Sequence, residues 1–310
     1  MLKHKFTIFI ISLLFLIPSV SLALSMPQNG SDLAGMAGIS AQAYIVMHAK
    51  TGEVLAAKNE TLPRVPASLT KLLTALVVLD SKVKLTKTVA IKTDDQIAGS
   101  CSKGGACIKA KAGVKFTVDG LLHALLMPSA NNAAYALVRS TGLAPADFAG
   151  KMNKKAADLG AVGTHFNEPT GLDPNNVTTA QDYAKIVAAA FQNAYLRKIA
   201  GLHKFTLRST NNSRYNQVIK NTDKLLADKD IKILGAKTGY LEESQYNFAA
   251  LAQYRGGDRL AIVVLGEDRL ASAFAETKLL ASLAEEAKAL ALMNLPKSVL
   301  GTSTTANDKN

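Results

Sequence analysis

Strand-type runs lie at both ends of this chain and helix-type periodicity fills its middle, an order that few folds accommodate. Near the start, Ala43-Tyr44-Ile45-Val46-Met47 and Glu53-Val54-Leu55-Ala56 flank Ala49-Lys50-Thr51-Gly52 and predict a hairpin. Near the end, residues 231–236, 247–254 and 259–265 predict three strands, the last two joined across Gly256-Gly257-Asp258. Between these, Leu69, Leu72, Leu73, Leu76, Val77 and Leu79 recur at helical spacing in a segment that opens at Ser68 and runs to Asp80. Further helices are expected over 121–127, 133–138, 151–159 and 180–194, and a long amphipathic one over 270–293. Apolar faces must be covered, so this order predicts an α+β fold. One antiparallel sheet is assembled from both chain ends and covered by helices, with a helical lobe inserted in the middle.

The flanks carry other signals. Lys3 and Lys5 precede an apolar run from Phe6 to Ile17, and Ser21-Leu22-Ala23 places small residues where a signal peptidase reads; residues 1–23 are expected to be a secretory signal. The run is short for a bilayer span and no later stretch approaches about 20 apolar residues, which disfavours a stable membrane anchor. Residues 24–39 read as a linker, 40–293 as the folded domain and 294–310 as a disordered tail. Export would place the protein in the periplasm or outside the cell, an oxidising setting in which Cys101 and Cys107 could close a tight loop or remain two unpaired thiols. A metal site would need more ligands than these cysteines and five scattered histidines supply, so no metal or other cofactor is expected. The formal charge of +12 first suggests an anionic partner, and export argues against that partner being nucleic acid.

Three short strings can carry chemistry: Ser68-Leu69-Thr70-Lys71, Ser129-Ala130-Asn131 and Lys237-Thr238-Gly239. Each is weak alone, because Ser81/Lys84, Ser100/Lys103, a second Lys-Thr-Gly at Lys50 and a second Ser-x-Asn at Ser209 also occur. A serine nucleophile needs a base within reach, and a lysine three residues on lies on the same helical face. Only Ser68/Lys71 opens a strongly apolar helix, whose N-terminal N–H groups favour developing negative charge. The Lys50 string falls in a turn, whereas Lys237-Thr238-Gly239 ends a β-branched run and can lie on a strand edge that pairs with an extended peptide. Ser129 follows Pro128 at an exposed junction between helices, where its plainest role is that of an N-cap.

In order and spacing these strings resemble the serine-type D-alanyl-D-alanine peptidases, the low-molecular-mass penicillin-binding proteins, which share a fold with β-lactamases. The likeness extends to Pro66-Ala67, Glu168-Pro169-Thr170-Gly171-Leu172-Asp173, Asn221-Thr222-Asp223-Lys224-Leu225-Leu226 and Gly235-Ala236, covering roughly 41–293. It implies Ser68 as the nucleophile that attacks the penultimate D-Ala, Lys71 as its neutral general base and Ser129 as proton relay to the leaving amine. It implies Asn131, Lys237, Thr238 and Gly239 as substrate-binding residues, and the backbone N–H groups of Ser68 and Tyr240 as the oxyanion hole. Burial, the helix N-terminus and the charge of Lys237 are expected to lower the Lys71 pKa together. The implied partners are peptidoglycan stem peptides and, as acylating inhibitors, β-lactam antibiotics. Ala130 departs from the Gly frequent in carboxypeptidases, a small change that leaves Ser129 and Asn131 functional. A carboxypeptidase is the leading reading; an endopeptidase that cleaves cross-links, a β-lactamase using Glu168 and a non-catalytic wall-binding protein are the alternatives.

Overall fold

The computed structural model describes residues 38–253 and 257–293, with side chains described to Glu286; the expected signal segment, nearly all of the linker, the tail and Gly256 lie outside them. The strand Arg259–Glu267 (β9) is buried at every position after Arg259, as a strand covered on both faces must be. It pairs antiparallel with Ala43–His48 (β1) from the start of the domain and with Gln245–Gln253 (β8). Val54–Lys58 (β2) lies outside β1, and Lys232–Leu241 (β7) outside β8, giving the order β2-β1-β9-β8-β7 with β7 on one edge. Both chain ends build this one sheet.

Alternation divides its side chains between two cores. Ile45, Ala249, Leu251, Ala261 and Val263 face the helical lobe, while Val46, Phe248, Ala250, Ile262 and Val264 face the terminal helix. The lobe comprises Thr70–Asp80 (α1), the short Thr93–Ala98 (α2), Val118–Leu126 (α3), Asn131–Ser140 (α4), Pro145–Asp158 (α5), Ala180–Gln192 (α6) and Ala194–Ala200 (α7). Leu270–Met293 (α8) covers the other face through Ala273, Phe274, Leu280, Leu283 and Ala284, each large apolar side chain contributing about 2 kcal/mol of burial. No helix among the described residues is long and apolar enough to cross a membrane.

Local chemistry explains where the elements depart from expectation. The helix expected over 180–194 breaks at Asn193, whose side chain accepts from Tyr195 N at 3.0 Å and caps α7. Two small ribbons, Thr88–Ala90 (β3) with Lys115–Thr117 (β4) and Lys204–Leu207 (β5) with Gln217–Lys220 (β6), were not anticipated. Their strands have only three or four residues, too few for a period of two to stand out.

Candidate active site

Ser68 does not begin the α-helix; it sits in a 3₁₀ turn, Ala67–Leu69, and α1 starts two residues later. The cause is Ala67, held in the left-handed region at φ +50°. Two glycines press on this turn from elsewhere in the chain. A Cβ on Gly171 would lie 1.8 Å from the Ala67 carbonyl oxygen, and one on Gly239 would lie 2.9 Å from the Pro66 oxygen and 3.3 Å from Ser68 N. Gly239 thus lets β7 approach the serine turn closely. Asn247 Nδ2 donates to Val65 O at 3.0 Å, and the buried Tyr183 hydroxyl donates to Leu69 O, so the turn is tied on both sides of Ser68.

The turn delivers Ser68 to Lys71. Lys71 Nζ lies 2.8 Å from Ser68 Oγ and donates to Thr170 O at 2.6 Å, with no solvent exposure. Burial lowers its pKa to about 7, and the negative charge of Glu168 pulls the other way. Beside it stands a second pair, Lys237 Nζ donating to Ser129 Oγ at 2.9 Å and to Thr238 O at 2.8 Å. Burial, and then the charge of Lys71, drive Lys237 well below the ordinary lysine value. Both lysines are lowered, burial being the leading cause for each, and the repulsion between them favours a state in which one is neutral.

Ser129 also differs from expectation. It is buried, adopts φ +67° and caps nothing; Ala130 is the N-cap of α4 and makes no side-chain cap bond. Asn131, the first residue of α4, donates N–H to Ala106 O at 2.7 Å and Nδ2 to Gly99 O at 3.0 Å. Because the Gly99 carbonyl requires a donor, Oδ1 is turned away from it, and that oxygen is buried with no hydrogen-bond partner among the described residues. An unpaired buried acceptor beside two Ser–Lys pairs awaits an N–H. Ala106 belongs to the loop closed by the Cys101–Cys107 disulfide, with Cα atoms 5.7 Å apart, so the crosslink holds the wall against which Asn131 is set.

Lys237, Thr238, Gly239 and Tyr240 lie in succession on the edge strand β7, with the half-exposed Tyr240 ring 4.5 Å from that of Tyr246. Thr222 ties the parts together, its hydroxyl 2.7 Å from that of Thr238 and its N–H donating to Met127 O at 3.1 Å. Glu168 is occupied by its own loop. Oε2 accepts from Thr170 N at 2.7 Å and Thr170 Oγ1 at 2.5 Å, and Oε1 from Gly171 N at 2.5 Å and Asn176 Nδ2 at 2.9 Å. Thr170, Gly171, Thr222 and Asn247 had no role assigned from sequence; the first three lie inside strings of the family likeness, which marked the segments without saying what each residue does. Among the described residues no group of three or more His, Cys, Asp or Glu is placed to hold a metal ion.

A half-buried serine against a fully buried lysine poised near neutrality, beside an edge strand that can pair with an extended peptide, is the arrangement of a serine acyl-transfer enzyme. The family described as D-alanyl-D-alanine carboxypeptidase matches residues 31–269, and the chain belongs to that family. It is 36% identical to the D-alanyl-D-alanine carboxypeptidase DacB2 of Mycobacterium tuberculosis, over 73% of this chain and 74% of that one. It is 30% identical to a D-alanyl-D-alanine endopeptidase of Haemophilus influenzae, over 69% of this chain and 71% of that one. The crystal structure of the Streptomyces K15 DD-transpeptidase superposes with a TM-score of 0.74 at 29% identity, covering 80% of this chain and 98% of that one.

Proposed function

We propose that the protein is an exported serine D-Ala-D-Ala carboxypeptidase that trims peptidoglycan stem peptides through an acyl-enzyme. The observation that carries the reading is Lys71: fully buried, 2.8 Å from Ser68 Oγ and lowered to about 7, it is a base at neutral pH. Ser68 Oγ attacks the carbonyl of the penultimate D-Ala while its proton passes to Lys71. The oxyanion is held by the backbone N–H groups of Ser68 and Tyr240, where most of the transition-state stabilisation rests. Collapse breaks the peptide bond, the leaving amine takes a proton through Ser129, and water then hydrolyses the ester. Lys237 and Thr238 receive the terminal carboxylate, whose negative charge raises the Lys237 pKa so that the lysine takes up a proton from solvent, and Asn131 Oδ1 accepts the substrate amide N–H.

Glu168 argues against a β-lactamase. Its lone pairs are taken by Thr170, Gly171 and Asn176, leaving it poorly placed to aim a deacylating water, so a penicillin is expected to stay on Ser68 for minutes or longer. The test is D-Ala release from a soluble peptide ending in D-Ala-D-Ala, run beside a cross-linked dimer. Release from the first by wild type, and none by Ser68→Ala, is expected; cleavage of the dimer alone would make the enzyme an endopeptidase, and cleavage of neither would overturn the proposal.

A further inference from the structure

A basic surface lies beside the Ser68 site. Residues 100–118 contain Lys103, Lys109, Lys111 and Lys115, and residues 201–222 contain Lys204, Arg208, Arg214 and Lys220; neither segment has an Asp or Glu. All eight cations are exposed, and among the described residues no carboxylate forms an ion pair with any of them. The segments are joined side by side. Gln217 exchanges two hydrogen bonds with the Lys109 backbone, at 3.1 and 2.8 Å, and Asn211 bonds Lys115 N at 2.8 Å and Gly113 O at 2.9 Å.

Two features mark this surface as more than a solvated face. Lys204 and Lys220 are direct partners across the β5–β6 ribbon, and like charges so opposed are destabilising unless an anion neutralises them. The neighbouring pair on the same outward face is Thr206 with Val218, an aliphatic side chain left 60% exposed between the cations. Both segments also lead into the cleft wall: β6 runs straight into Asn221 and Thr222, whose hydroxyl meets Thr238, and the other begins at the loop whose Ala106 carbonyl accepts from Asn131 N.

We propose that the β5–β6 ribbon and the 103–115 segment form an exosite for the uncross-linked peptidoglycan strand, whose stem peptides repeat free carboxylates along one polymer. The inference rests on the reading of the cleft as a stem-peptide site: a strand with one peptide at Ser68 presents its neighbours to the ribbon. The exosite raises the enzyme's residence on polymer and leaves chemistry on a short peptide untouched.

The test compares Lys204→Glu/Arg208→Glu/Lys220→Glu with an equal charge change elsewhere, Lys50→Glu/Lys84→Glu/Lys151→Glu. Each is sedimented with sacculi stripped of phosphodiester polymers, at roughly 50 and 300 mM salt to bracket the screening range, and assayed for D-Ala release from a short soluble peptide. The ribbon variant is expected to lose about tenfold in retention at low salt, by weakening of the local field. The control variant is expected to match wild type, wild-type retention to fall at high salt, and short-peptide turnover to stay within about twofold throughout. Equal retention of ribbon variant and wild type would overturn the proposal, as would equal loss in the control. So would retention confined to sacculi that keep their phosphodiester polymers, or capture of duplex DNA in place of stripped sacculi. Failure of wild type to release D-Ala from the short peptide would instead count against the catalytic reading, while sedimentation still tests the surface.

Discussion

Replacing Gly171 by alanine attacks the backbone of the serine turn and leaves the Ser68 and Lys71 side chains in place. The new Cβ would stand 1.8 Å from the Ala67 oxygen, 2.2 Å from its carbonyl carbon and 2.9 Å from Ser68 N, where ordinary contact begins at 3.4 Å. The two backbones must separate by about 1.5 Å, and a misplacement of about 1 Å at a reacting atom costs on the order of 10²-fold. Gly171 also has φ +85°, so a side chain there adds about 1–2 kcal/mol of strain. The expected result is a fall of at least about 100-fold in the second-order rate of acylation by a fluorescent penicillin, near 2.7 kcal/mol in the barrier, with a lowered thermal midpoint. Gly239→Ala needs only about 0.5 Å of relief from its 2.9 Å contact and is expected to lose roughly tenfold. Gly150→Ala, mid-helix in α5 with nothing within 4 Å of the new Cβ, is expected to acylate normally and gain stability. A folded Gly171→Ala protein acylating at the wild-type rate would refute the claim that this contact sets the nucleophile. Should that variant fail to fold, an undiminished rate in Gly239→Ala would do the same.

Two pH profiles follow from the buried titrating groups. Acylation requires neutral Lys71, so its rate is expected to rise with pH, reach half-maximum near pH 7 and drop about tenfold per unit below; a limb near the ordinary lysine value would contradict the assignment. Glu267 is raised to about 7, first by burial and then by Glu276, with the Ser40 hydroxyl opposing and Asp268 adding further repulsion. Its folded-state value exceeds the unfolded one, so its stabilising effect is complete below about pH 4.5 and is lost as pH rises toward 7. Thermal midpoints of wild type are therefore expected to decline over that window, and Glu267→Gln to remove the decline.

What the sequence disclosed was local or periodic. The edge position of Lys237, the helix after Ser68 and the two-sided sheet follow from patterns a few residues long, and the three strings at Ser68, Ser129 and Lys237 were legible because their spacing matched a known order. The clasp on the serine turn was not, because Gly171 and Ala67 meet only after the helical lobe has folded back on α1. Burial of Ser129 was missed for a related reason: Pro128 marks a junction, and a junction can be covered by distant chain. The lowering of both Lys71 and Lys237 depends on their complete burial, and spacing says nothing of depth. The basic ribbon is not legible because two four-residue strands are too short for a period of two to show.

The central claim is that Ser68, activated by Lys71, carries the acyl group. Its most direct measurement is to incubate the protein with penicillin, weigh the intact product and map the modified peptide. One adduct on Ser68 that persists for minutes, absent in Ser68→Ala, is expected. An adduct on Ser129 or another residue, or none at a concentration that acylates related D-alanyl-D-alanine carboxypeptidases, would contradict it.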